Sequence, residues 1–84
     1  MRNYTEHNDK IAFHPGYYLK EIVDESDLTS EDFARRLGTT SEDLKLLING
    51  EQSITVEMAE KLSKMLGTSV NYWLNLQATY DSFA

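Results

Sequence analysis

The residues that could do covalent or metal chemistry are few, and their spacing does not suit it. The chain holds two histidines, His7 and His14, and neither stands in a His-x-x-x-His or His/Asp cluster of the kind that binds zinc. Cysteine is absent, which removes thiolate metal sites and a disulfide framework. Serines and aspartates occur, but no nucleophile elbow and no phosphate-cradling Gly-rich loop frames them. No enzyme, cofactor or metal site is expected, and His14 is expected to help begin a helix. What remains is recognition by polar side chains held at helix ends.

The elements that would hold them lie in residues 29–50, TSEDFARRLGTTSEDLKLLING. Thr29 sits at an N-cap with Asp32 three residues on, a capping-box-like pair with Asp in the slot more often held by Glu or Gln. Phe33, Ala34 and Leu37 form one narrow apolar stripe. Gly38 follows at C′, where φ > 0 costs a glycine little. Thr40 then caps a second helix with Asp43 three residues on, and Leu44, Leu47 and Ile48 make its stripe before Asn49-Gly50 ends it. Two short capped helices joined by a tight Gly-containing turn predict a helix-turn-helix, with Ser41 to Ile48 in the reading helix.

The remaining elements follow the same signals. Residues 1–13 are polar with no clear periodicity and no strand pattern. They are expected to form a partly ordered arm, with Tyr4, Ile11 and Phe13 able to pin it to the body. Residues 14–84 form the domain. Pro15 suits N1 of the first helix, and Leu19, Ile22 and Val23 with Tyr18 give its buried face. That helix should end near Ser26-Asp27, with Leu28 turned inward. Ile54 anchors the loop after Gly50, and Thr55 caps a fourth helix whose stripe is Ala59, Leu62, Met65 and Leu66, stopped by Gly67. Ser69 caps a fifth, where Val70, Trp73, Leu74, Leu76 and Tyr80 leave a wide apolar or aromatic face with Gln77 among them. The fold class expected is all-α, a five-helix bundle.

Length and charge bound the function. Eighty-four residues make one small domain, stabilised by helix packing and helped by dimerisation. No apolar run approaches the roughly 18 residues of a membrane span, and the N-terminus has no secretory h-region, so a soluble, cytoplasmic protein is expected. Eight basic residues face fourteen acidic ones, a net charge of −6. DNA binders usually carry a basic face, whereas this balance fits a basic protein partner at least as well.

Three pieces in order, the HPG start of HPGYYLKEI, the NG-x-x-SIT link and the WLNLQ-x-x-YD end, together with LTSEDFARRLG, closely resemble the antidote proteins of HigA type. These are XRE/Cro-like helix-turn-helix antitoxins of bacterial addiction modules, and the resemblance covers about residues 13–81. It implies a homodimer that binds a double-stranded DNA operator upstream of its own operon and neutralises a small basic RNase toxin that cleaves mRNA. The fold it implies places Ser41, Glu42, Lys45 and Leu46 at base edges, with Thr40 a further DNA-binding candidate. Thr29, Ser30 and, in the link, Gln52 fall against phosphates.

Family members often carry Arg or Lys where this chain has Ser41, Glu42, Leu46, Glu51 and Gln52. Between Thr39 and Thr55 the one base, Lys45, faces Glu42, Asp43 and Glu51. Two accounts of these residues stay open. Glu42 could accept from cytosine N4 while Leu46 packs on a thymine methyl. Equally, Glu42 and Asp43 could merely complement the positive end of their own helix, with Leu46 an isolated exposed apolar residue. Arg35 and Arg36 suit the C-terminal end of the second helix as a solvated face, or could reach a phosphate. Tyr72, Trp73, Leu76 and Tyr80 on the fifth helix are candidates for a dimer seam, and for plain core. The competing function is a protein-interaction module that kept this fold, binds a basic partner and has lost sequence-specific DNA binding.

Overall fold

A computed structural model describes the backbone of residues 4–7 and 10–83 and the side chains of residues 13–83. Five helices follow one another: α1 (Pro15–Glu25), α2 (Ser30–Leu37), α3 (Ser41–Ile48), α4 (Val56–Leu66) and α5 (Val70–Phe83). The expected caps are all made. Thr29, Thr40 and Thr55 each accept from the backbone N–H three residues on, and Ser69 does the same for Tyr72. Each bond satisfies one of the orphan donors of a helix start. The capping boxes are half made, because the Asp32 carboxylate turns to Arg35 at 3.1 Å instead of reaching back to its cap.

The hydrophobic stripes meet in one core. Leu19 and Val23 of α1, Phe33, Ala34 and Leu37 of α2, and Leu44 and Leu47 of α3 are buried together. Ile54 of the α3–α4 link, Ala59 and Leu62 of α4, and Trp73 of α5 complete it. Helix α3 packs on α1 and α2, and α4 on α2 and α5, so the helix-turn-helix is held from behind on both sides. Gly16 makes the closest approach. A Cβ there would overlap the Leu47 carbonyl, so only glycine lets α1 start against the end of α3.

The arm differs from the sequence expectation. Tyr4–His7 (β1) and Lys10–Phe13 (β2) pair as an antiparallel hairpin, in register from Tyr4 opposite Phe13 to His7 opposite Lys10. Both strands lie against α5. Two four-residue strands carry too little alternation to be read from sequence, and an isolated hairpin is marginal without a surface to rest on. The side chains of Tyr4, His7 and Ile11 lie outside the described residues. Phe13 does pin the hairpin, stacking on Tyr17 at 4.5 Å between ring centroids. The five-helix all-α bundle stands as expected, with this hairpin appended.

Candidate nucleic-acid interface

The turn between α2 and α3 is a closed Schellman motif. Gly38 adopts φ 90°, its N–H reaches the Arg35 carbonyl at 3.2 Å, and the Thr39 N–H reaches the Ala34 carbonyl at 2.9 Å. The Gly38 carbonyl accepts from Lys61 Nζ at 2.9 Å, and Lys61 also faces Glu57 at 3.4 Å. Thus α4 ties down the turn, a role that no short-range pattern around Lys61 announces. With Leu44 and Leu47 buried, the outer face of α3 is left to solvent.

That face brings together Ser30 at the start of α2 with Ser41, Glu42 and Lys45 of α3 in one open groove. Lys20 and Asp24 of α1 and Glu31 of α2 line the same groove, and sequence reasoning did not include them. The signal of Lys20 and Asp24 was visible only as an outward (i, i+4) pair on α1, now seen at 2.9 Å. Thr29 and Thr40 cap the two helices beside the groove, and their hydroxyl oxygens are occupied as acceptors, leaving each O–H to donate outward. Gln52 is exposed on the link. Leu46 departs from expectation: it is half-buried, not exposed, so only part of its side chain is open to a base.

The two acids at the start of α3 separate into different roles. Asp43 is half-buried and faces the Thr39 hydroxyl at 3.5 Å, inside the turn. Glu42 is exposed and makes no hydrogen bond or ion pair among the described residues. Lys45 is likewise exposed and unpaired among the described residues. Arg35 is engaged with Asp32, while Arg36 is exposed. Three carboxylates, Asp24, Glu31 and Glu42, meet two ammonium groups in the groove, so its charge is close to balanced and slightly negative.

Behind the groove, the α3–α4 link is fastened by buried polar side chains. His14 is 2% exposed, and its Nδ1 accepts from the Gly16 N–H at 2.9 Å. With Nδ1 an acceptor, the ring N–H is on the other nitrogen, and the Gln52 backbone bears on the ring's charge. Burial holds the His14 pKa below its ordinary value, offset in part by the charge of Asp81 and by the bond to Gln52. Gln77, only 6% exposed, accepts from the Ile54 N–H through Oε1 at 2.8 Å. Its Nε2 donates to Asp81 at 2.9 Å. Among the described residues no three or more His, Cys, Asp or Glu side chains cluster to hold a metal ion.

The candidate seam on α5 needs one correction. Trp73 is 0% exposed and donates its indole N–H to Thr68 at 2.7 Å, so it belongs to the core and offers a partner no surface. Tyr72 is 44% exposed, and Leu76 and Tyr80 are half-buried. No described helix is long and apolar enough to cross a membrane.

Comparison with known proteins agrees with this geometry. The helix-turn-helix family model HTH_3 matches residues 19–73. The uncharacterized HTH-type transcriptional regulator YddM of Escherichia coli K12 is 39% identical over 74 residues, which are 86% of this chain and 79% of YddM. YbaQ of the same strain, also an uncharacterized HTH-type transcriptional regulator, is 38% identical over 63 residues. The match takes in 75% of this chain and spans 56% of YbaQ. Among solved structures, the Pseudomonas aeruginosa antitoxin HigA with the higBA promoter superposes with a TM-score of 0.77. It is 30% identical, over 83% of this chain and 77% of that one. These relatives are regulators and an antitoxin, not enzymes. The chain belongs to the XRE-type helix-turn-helix family, with the DNA-binding regulator fold and a close structural relation to HigA-type antitoxins.

Proposed function

We propose that the chain is the antitoxin of a type II toxin–antitoxin module and the repressor of its own operon. The observation that carries this is the free outer face of α3, presented by a rigidly capped turn, in a chain that superposes on an antitoxin solved with its promoter. Its mechanism is stoichiometric binding. Ser41, Glu42, Lys45 and the open part of Leu46 meet base edges. Glu42, with no partner inside the chain among the described residues, accepts from cytosine N4. Thr29, Ser30, Thr40 and Gln52 position phosphates through hydroxyl and amide donors, with the N–H groups of the first turn of α2 beside them. Two copies joined along α5 through Tyr72, Leu76 and Tyr80 place two α3 helices on successive half-sites. The acidic surface, net −6, meets a small basic RNase toxin in the cytoplasm.

The test is a mobility shift on DNA from upstream of the gene. A sequence-specific shift that is lost in the Glu42→Ala, Leu46→Ala double variant supports repression through α3. A second function has one observation in its favour, the slightly negative groove, where phosphate attraction is weakest. On that account the chain is an interaction module that has given up operator binding. Co-purification of a small basic partner, with no operator shift even at low salt, would decide for it.

A further inference from the structure

Resting on the operator-binding account above, we infer that Gln77 is a positioning residue for DNA recognition, fixing the α3–α4 link from inside α5 with Asp81 setting its orientation. The link carries exposed Gln52, and α3 leads directly into it, so any shift of the link moves both a phosphate contact and the end of the reading helix. At its first end the link is closed locally, by the Glu51 N–H on the Leu46 carbonyl at 2.9 Å. Farther along, the Ile54 N–H has no local partner among the described residues. It goes instead to Gln77 Oε1 at 2.8 Å, 23 residues away.

The orientation of the Gln77 amide is unambiguous. A backbone N–H only donates and a carboxylate only accepts, so Oε1 must face Ile54 and Nε2 must face Asp81, where the contact is 2.9 Å. Asp81 therefore selects the amide face that holds the link. The same carboxylate lies near enough to His14 to act on its charge, and the His14 ring packs edge-on against Tyr80 at 5.1 Å. Buried Gln77 and His14, with the exposed carboxylate of Asp81, thus connect the link to the helix that bears the proposed dimer seam. An apolar side chain at 77 would fill the core but leave the Ile54 N–H unpaired, and this is the difference between packing the link and aiming it.

The test exploits that donor–acceptor logic. In Gln77→Glu the shape is kept and one oxygen still accepts from Ile54, but the other meets the Asp81 carboxylate. Pairing it with Asp81→Asn restores a donor on the opposite side, an inverted copy of the native bond. Operator affinity and amide exchange at Ile54 are measured for the wild type, Gln77→Glu and Gln77→Glu/Asp81→Asn, all with helicity checked by circular dichroism. About a 10-fold loss of operator affinity and faster Ile54 exchange are expected in the single variant, with recovery to within about 3-fold in the double variant. A single variant that binds like the wild type, or a double variant no better than the single, overturns the inference. If the wild type itself shifts no operator, the functional proposal fails, and with it the role in recognition. Ile54 exchange then reports separately whether Gln77 still fixes the link.

Discussion

The two connections that frame α3 are held in opposite ways. The turn before it, residues 38–40, is closed by bonds within a few residues and by a partly exposed lysine from α4. The link after it, residues 49–55, is held at Ile54 by Gln77 from α5, which is buried, and the Gln52 backbone bears on the charge of His14, buried at the start of α1. The turn is therefore a local device that sets an angle, whereas the link is where the rest of the domain takes hold of the end of α3. Unpaired polar groups are costly when buried and cheap when solvated, so damage on the link side should exceed damage on the turn side.

The largest expected effect is Gly16→Ala. The added methyl meets the Leu47 backbone, which cannot rotate away, so α1 and the end of α3 must separate. A loss of about 3 kcal/mol in urea denaturation is expected, near the upper end for overpacking. A loss under about 1 kcal/mol would show that the contact is slack.

Next is His14. Its pKa is lowered in the fold, chiefly by burial, so the fold prefers the neutral ring. That preference contributes fully above the unfolded histidine value of 6.5 and is lost as pH falls below it toward the folded value. Protonation also turns the Nδ1 acceptor into a donor facing the Gly16 N–H. His14→Gln should abolish this part of the acid-side decline in thermal stability while costing about 1–2 kcal/mol at neutral pH. An unchanged pH profile would refute it.

On the turn side, Gly38→Ala strains a residue at φ 90° with only the Lys61 stem at 3.9 Å nearby, so about 1 kcal/mol is expected from backbone strain alone. The smallest effect is Lys61→Met, about 0.5 kcal/mol, because its ammonium is partly solvated and the turn keeps its own backbone bonds. Should Lys61→Met cost more than His14→Gln at neutral pH, the ranking of the two connections is reversed.

The same contrast explains what could be read from the residues alone. Thr29, Thr40, Thr55 and Ser69 as caps, Gly38 and Gly67 as stops, and the apolar stripes are short-range signals, and each appears where expected. Gln77 also stood in plain view on an aromatic face, but its partner lies 23 residues away and cannot be inferred from spacing. Gly16 reads as an ordinary first-turn residue until Leu47 is placed beside it. The hairpin depends on α5 for support, and four-residue strands leave little pattern. On the candidate interface, Ser30, Ser41, Glu42 and Lys45 are expected from the fold's docking geometry, but Lys20 and Asp24 enter the groove only through the packing of α1 on α3, and Glu31 through the first turn of α2.

The central claim, that α3 reads an operator with few phosphate contacts, is tested most directly by one titration. Fluorescence anisotropy on upstream DNA and on unrelated DNA of equal length, repeated across salt concentrations, measures specificity and ion pairing together. Lys45, Arg35 and Arg36 are the basic residues of the helix-turn-helix itself. Preferential binding to the upstream DNA is therefore expected, with a log–log salt slope of about 3 or less in magnitude per domain. Equal affinity for both DNAs at low salt, or a much steeper slope, would contradict it.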